Sequence, residues 1–335
     1  MADRLRRLAA NRLARPLLAG LVSLVTLALA LRGVDLGDVA QTLAQIDWPL
    51  LALAVGFEFL AWWVTAIRWR RIFAPRPTPE VSRFFWALTV TQLANTILPG
   101  KVGILARILL IGESMGQTAS LCSVVLEKAL EALTLLVAFL LVVPFLGATE
   151  WLWPEVLTSA VLFAASLAVI ALVVGQRQTI LRWGQRWRWS RALVGPLVAA
   201  LDTLEVTRRP LALAELGAWS ALIWVLTVLQ NHALLLAMDI TVPFVGVWML
   251  TVALQVGVRV PALPASIGVF HYAAVLVLTL FGVSESAALS YAVVLHGLIF
   301  LLPSLLAVGY LWRIGYDWRS WRWVNGADGL TDEGG

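Results

Sequence analysis

The chain has 335 residues, of which 60% are hydrophobic and only 13% are charged, and its mean hydropathy is +0.85. A soluble domain cannot hide that much apolar surface, because its outside must be largely polar. The net charge of +5 would suit nucleic acid only if the basic residues formed one patch, and they are spread over four segments. Composition and charge therefore exclude a soluble enzyme and a nucleic-acid-binding protein, and they predict an integral membrane protein.

Several continuous apolar runs are long enough to cross about 30 Å of hydrocarbon, which requires about 20 helical residues. The first run follows a basic N-terminus and looks like a signal peptide, but the spans after it favour an uncleaved helix. Trp residues at the ends of the runs, such as Trp62, Trp63, Trp69 and Trp312, are typical of an interfacial aromatic belt. The predicted spans are 16–32, 48–68, 119–146, 154–175, 211–237 and 286–312.

Basic residues alternate with acidic ones from one connection to the next. Arginines fill the N-terminal tail and segments 68–83, 176–210 and the region after 312, whereas the other connections carry mainly Asp and Glu. By the positive-inside rule, both termini are predicted to be cytoplasmic in a multi-pass protein of the cell membrane. We expect residues 1–313 to form the membrane domain and 314–335 to form a short cytoplasmic tail.

Two further apolar stretches, 84–112 and 243–282, are interrupted by Pro and Gly and resemble each other. The sequence LPGKVG (98–103) breaks the first, and LPASIG (263–268) breaks the second. The two stretches are entered from opposite sides of the membrane, which predicts inverted repeats of the kind found in transporters. We expect two re-entrant pairs of broken helices in an all-α bundle, although 243–262 is long enough to span fully. Non-helical backbone at membrane depth requires a protein-lined cavity.

Ionisable residues inside the apolar runs are the candidate functional residues, because a charge at the bilayer centre costs about 2.5–3.5 kcal/mol. Glu127 and Glu131 share one helix face, which indicates either a polar stripe along a cavity or an ion pair such as Glu127 with Arg107. Lys101 stands where a helix restarts and its free N–H groups favour an anion. The predicted substrate-binding residues are Asn95, Lys101, Arg107, Glu127, Lys128, Glu131, Arg259, His271 and His296.

No spacing of His, Cys or carboxylate residues suits a metal, and no nucleophile motif or phosphate loop occurs. We therefore expect no cofactor and no catalytic activity. The single cysteine, Cys122, lies inside an apolar run and cannot form an intrachain disulfide.

The sequence ILPGKVGILARILLIGESMGQTASLCSVVLEKALEAL, followed by PALPASIGVFHYAAVLVL and a last helix from His296 to Pro303, resembles the lysylphosphatidylglycerol synthase transmembrane region, also called the flippase-like membrane family. Lys101 and Arg107 match the first family motif, but Ile104 stands where Glu is usual. Glu127, Lys128 and Glu131 match the later acid–base–acid pattern. His271 and His296 replace an acid and an Arg.

This resemblance implies translocation of a lipid with a polar head group, anionic or polyprenyl-linked. It also implies that the aminoacyl-transfer activity of full-length synthases is not to be expected here, because that activity lies in an added cytosolic domain. Two alternatives remain open: a proton-coupled transporter of a small polar solute, and a non-catalytic partner of a separately encoded lipid-modifying enzyme. Membrane lipids are the expected partners, and nucleic acid is not.

Overall fold

A computed structural model of the protein describes residues 24–31, 34–97, 103–145, 209–259 and 264–315, with a few isolated positions between 175 and 206. Regular structure in these residues is helical throughout, which confirms the predicted all-α membrane bundle. The main helices are α1 (Leu36–Ala44), α2 (Trp48–Ile72), α3 (Val81–Ile97), α4 (Gly103–Met115), α5 (Gln117–Val142), α6 (Pro210–Ala237), α7 (Phe244–Gly257), α8 (Val269–Leu280), α9 (Glu285–His296) and α10 (Leu302–Arg313).

Local sequence signals set the beginnings of the long helices. The Asp47 carboxylate accepts a hydrogen bond from the Leu50 N–H at 3.1 Å and so caps α2. Pro49 stands in the first turn of α2, where its missing N–H has no helical partner to lose. Pro210 opens α6 in the same way, and the Ser284 hydroxyl caps α9.

Three of the predicted spans are confirmed as helices long and apolar enough to cross a membrane. They are α2, α6 and a continuous 29-residue helix over Glu285–Arg313, in which a π-helical segment over Gly297–Leu301 joins α9 to α10. Helix α5 has 26 residues and is also long enough to span, but it carries three charged residues and is therefore not one of these apolar helices. Only residues 24–31 of the span 16–32 are described, and they are helical, whereas the span 154–175 lies almost wholly outside the described residues.

Helices α2 and α6 run antiparallel and pack along their length. At one end of the pair the Asp47 N–H donates to the Ala237 carbonyl at 2.8 Å. At the other end the Arg71 guanidinium lies 2.9 Å from the Glu215 carboxylate. These contacts define the Asp47 end and the Arg71 end of the bundle.

The first broken stretch folds as a helical hairpin of α3 and α4, called here the first hairpin. Its 17 and 13 residues correspond to about 26 and 20 Å at 1.5 Å per residue, so both helices are shorter than a hydrocarbon core of about 30 Å. Arg83 at the start of α3 lies 3.1 Å from Glu113 at the end of α4. The start of α3 and the end of α4, which are the open ends of the hairpin, therefore lie together. In the chain, the hairpin follows the Arg71 end of the α2–α6 pair.

The second broken stretch forms a comparable hairpin of α7 and α8, the second hairpin. It follows the Asp47 end in the chain, and Gly246 near its start packs against the Phe281 ring at its end. Residues 264–266, in its connecting segment, pack against α3 of the first hairpin. The pairing of broken helices is observed, whereas their re-entrant depth and their relation as inverted repeats stay predictions.

Candidate functional site

Glu127 and Glu131 of α5 lie one turn apart and face the same arginine. The Arg68 Nη2 atom of α2 lies 3.5 Å from Glu127 Oε1 and 3.6 Å from Glu131 Oε1. The Glu127 side chain is only 1% exposed, and that of Arg68 only 4%. Because a buried carboxylate requires compensation, this ion pair holds α5 against α2.

Arg107 of α4 binds the second oxygen of the Glu127 carboxylate. Its guanidinium carbon lies 4.0 Å from the centroid of the Trp69 ring, an arrangement that stabilises a cation by about 1 kcal/mol. The Trp69 indole N–H in turn donates to the Ser123 hydroxyl at 2.9 Å, which fixes the ring. Two arginines from different helices therefore share one carboxylate in a fully buried arrangement.

Two buried hydrogen-bond donors of these arginines lack a partner. Arg68 Nη1 donates to the Ser220 hydroxyl of α6 at 3.0 Å. The Nε atoms of both Arg68 and Arg107, however, are buried without a hydrogen-bond partner. Unmet donors of this kind favour an additional acceptor, since a buried N–H without a bond costs about 1–3 kcal/mol.

The cluster continues from the buried core to the surface of the bundle. Glu131, with a side chain 26% exposed, contacts Lys128 Nζ at 2.8 Å and lies 4.0 Å from Arg259 Nη2. The Lys128 and Arg259 side chains are 51% and 38% exposed. Arg259 also donates to the side-chain oxygen of Gln255 at 3.2 Å. These residues therefore form a polar path between the surface and the buried arginines.

Five of the nine predicted site residues meet in this arrangement, which we call the charged cluster. Its members are Arg68, Arg107, Glu127, Lys128, Glu131 and Arg259. The cluster contains four cationic and two anionic side chains, so two positive charges lack a counter-charge within it. Such an arrangement can bind an anion. Whether these residues bind substrate stays a prediction.

Asn95 and Lys101 were predicted for the same site from the first break. The Asn95 side-chain oxygen accepts a hydrogen bond from the Gly103 N–H at 2.9 Å, so it caps the beginning of α4. A Cβ on Gly103 would lie 2.3 Å from the Thr91 carbonyl oxygen, which shows how closely α4 begins against α3. Lys101 lies outside the described residues.

His271 and His296 form a second, separate group. Their rings stack with centroids 4.9 Å apart, and His296 also stacks on Phe300 at 4.4 Å. Phe270 contacts both imidazoles edge-on. In the described part of the chain, no hydrogen bond or ion pair joins this group to the charged cluster. It is called here the histidine stack.

The π-helical segment beside the histidine stack has a local cause. Pro303 has no N–H to donate, and its ring would clash with the carbonyl four residues earlier in an α-helix. The helix widens at this point, and the Leu302 N–H bonds to the Gly297 carbonyl instead. This widening places Phe300 against the His296 ring.

Two sequence interpretations were wrong. Arg68 was counted among the basic residues that set topology, and Trp69 among the interfacial tryptophans. Both are buried, with Trp69 fully so. Arg68 belongs to the charged cluster, and Trp69 packs against Arg107 of that cluster. The helical spacing of Glu58, Ala61, Arg68 and Ile72, all buried on α2, was a signal that could have identified Arg68.

No group of three or more possible metal ligands occurs among the residues that the structure describes. Comparison with known protein families gives a match to the family described as lysylphosphatidylglycerol synthase TM region, over residues 17–307. Neither the search of curated proteins nor the search of solved structures gave a significant match.

Proposed function

Because the chain belongs to the lysylphosphatidylglycerol synthase transmembrane region family, a group of membrane proteins related to lipid handling, we propose that it moves a lipid with an anionic head group between the two leaflets. The proposed setting is the cell membrane, with both termini cytoplasmic. A separately encoded lipid-modifying enzyme is a further proposed partner, which would supply or use the lipid.

The observation that carries this proposal is the polar path from the buried arginines to the surface, near the middle of α5. Lys128 and Glu131 lie around the centre of this 26-residue helix, where a charge facing lipid tails would cost about 2.5–3.5 kcal/mol. Their partial exposure is therefore better explained by an opening filled with water or with a polar head group. A lipid can enter such a sideways opening while its tails stay in the bilayer.

The path orders the steps of head-group binding. The half-exposed Lys128 and Arg259 meet an incoming phosphate first, because their side chains are the most exposed of the cluster. Arg68 and Arg107 lie deeper and hold unused Nε donors for the phosphate oxygens. Glu131 now pairs with Lys128 and approaches Arg259, so an entering phosphate competes with this carboxylate for the same cations.

The contact between the two hairpins supports the same function. Residues 264–266 of the second hairpin pack against α3 of the first, so two broken-helix elements meet inside the bundle. Transporters bind their substrates between such elements, where freed backbone groups line a cavity. Movement of one hairpin relative to the other would then change which leaflet the opening faces.

Leaflet exchange in vesicles tests the proposal. Purified protein is reconstituted into phosphatidylcholine vesicles that contain fluorescent phosphatidylglycerol, and exchange is followed by chemical quenching of the outer leaflet. We expect exchange well above that of protein-free vesicles, and about a tenfold reduction in Arg259→Gln, since one charge-assisted contact contributes about 1.5–3 kcal/mol.

Arg71→Gln is the matched control, because it removes an exposed arginine that pairs with Glu215 outside the cluster. Exchange in this variant should remain at the wild-type rate. The proposal is wrong if protein-containing vesicles exchange neither phosphatidylglycerol nor phosphatidic acid faster than protein-free vesicles do. It is also wrong if the Arg71 and Arg259 variants lose exchange equally.

A further inference from the structure

The charge balance of the cluster indicates the class of head group, an inference that rests on the proposed function. Four cationic and two anionic side chains meet through ion pairs within 4.0 Å. Two positive charges therefore remain uncompensated by these side chains. Lys128 and Arg259, the most exposed of the four cations, lie where an entering ligand can bring the opposite charge.

Other ion pairs of the described residues show no such excess. Towards the Arg71 end, the pairs Arg71–Glu215 and Arg83–Glu113 each join one cation to one carboxylate. These pairs are also more exposed than the centre of the cluster, so water screens them. Among these ion pairs, the excess of positive charge is found in the cluster, whose partly exposed cations Lys128 and Arg259 connect to the buried arginines through Glu131.

The unpaired N–H donors of the cluster can bind the terminal oxygens of a phosphate group. Arg68 and Arg107 both contact the Glu127 carboxylate, and each keeps a buried Nε–H without a partner. A phosphodiester has two terminal oxygens and one negative charge. A phosphomonoester has three terminal oxygens and a charge of about −1.5 to −2 at pH 7, with a second pKa of about 6. Only the monoester approaches the excess of two charges.

We propose that the lipid head group of this protein ends in a phosphate group that carries two negative charges, rather than in a phosphodiester. Lys128 is the residue that distinguishes the two cases. It supplies one of the two excess charges, and it is the most exposed cation of the cluster. Without the charge of Lys128, the remaining excess of one matches a phosphodiester instead.

The experiment compares the exchange rate of fluorescent phosphatidic acid, a phosphomonoester, with that of fluorescent phosphatidylglycerol, a phosphodiester, in the same reconstituted vesicles. Wild-type protein should exchange phosphatidic acid at least tenfold faster at pH 7.5. This ratio should fall as the pH drops below about 6, where the phosphomonoester dianion takes up one proton and becomes a monoanion. Lys128→Gln should reduce or reverse the ratio, and Lys128→Arg, which keeps the charge, should preserve it.

The outcomes separate this inference from the proposed function. Equal exchange of both lipids by the wild type, or an unchanged ratio in Lys128→Gln, overturns the inference and leaves lipid translocation standing. Exchange of neither lipid above the protein-free rate overturns both. Uptake of radiolabelled inorganic phosphate without exchange of phosphatidic acid would show that the site takes the free ion, and this result also overturns the lipid assignment.

Discussion

The two hairpins of this protein have similar sequences and similar helix lengths, but they bring different chemistry to the interior. The first hairpin supplies Arg107 to a charged cluster in which the buried side chains are held by ion pairs. His271 of the second hairpin stacks on His296 of α9, and both imidazoles contact phenylalanine rings. One region gains its order from charge compensation and the other from aromatic packing. Similar breaks in two helices therefore do not imply equivalent binding sites.

The hairpins also differ in how closely their helices approach. A Cβ on Gly103, where α4 begins, would lie 2.3 Å from the Thr91 carbonyl oxygen and 2.6 Å from the Asn95 side-chain oxygen. A Cβ on Gly257, at the end of α7, would meet the Ala273 Cβ at an ordinary 3.6 Å. The first hairpin is therefore closed by backbone contact, and the second by side-chain packing.

The largest effect is expected for Glu127→Gln. This change removes the carboxylate that Arg68 and Arg107 share and leaves two buried guanidinium groups with less compensation. We expect the free energy of unfolding in detergent to fall by about 3–5 kcal/mol, the usual result of breaking a buried pair. Glu131→Gln should be milder, because that side chain is 26% exposed. Equal losses in the two variants would contradict a cluster centred on Glu127.

A smaller effect is expected for Gly103→Ala. The added methyl group forces α4 away from α3 and disturbs the cap that Asn95 provides. Such overpacking usually lowers the free energy of unfolding by about 1–3 kcal/mol, which thermal denaturation would detect. Gly257→Ala is the matched variant in the second hairpin and should be neutral or slightly stabilising. If both variants behaved alike, the difference in closeness between the hairpins would be refuted.

Trp69→Phe tests the aromatic contact of the charged cluster. Phenylalanine keeps a ring beneath Arg107 but loses the hydrogen bond to Ser123 and part of the cation–π attraction. We expect a loss of stability of about 1–2 kcal/mol, measured by thermal denaturation. Trp312→Phe, at a position 83% exposed, is the control and should leave the melting temperature unchanged. A Trp69 variant as stable as this control would show that the indole contributes only volume.

The smallest effect is expected for His296→Phe in the histidine stack. The substitution keeps an aromatic ring between His271 and Phe300 but removes both imidazole nitrogens of His296. One of them, Nδ1, is buried without a hydrogen-bond partner. The free energy of unfolding should therefore change by less than about 1 kcal/mol, whereas His296→Ala should lose more because it also removes the ring packing. Equal losses for Phe and Ala would indicate a role for the imidazole nitrogens.

The sequence by itself determined the membrane class, the helical composition and the positions of the two breaks. These properties depend on local features: long apolar runs, Pro and Gly in the broken stretches, and capping residues such as Asp47. The sequence also identified Glu127, Lys128 and Glu131, because charges inside an apolar helix stand out without knowledge of their partners.

Only the tertiary structure decided which distant residues meet. Arg68 reaches Ser220 in a helix 152 residues later in the chain, and Trp69 meets both Arg107 and Ser123. Partners so far apart depend on how whole helices rotate and cross, which the local spacing of residues does not specify. For the same reason, a position that reads as a topology signal in the sequence lies at the centre of the charged cluster in the fold.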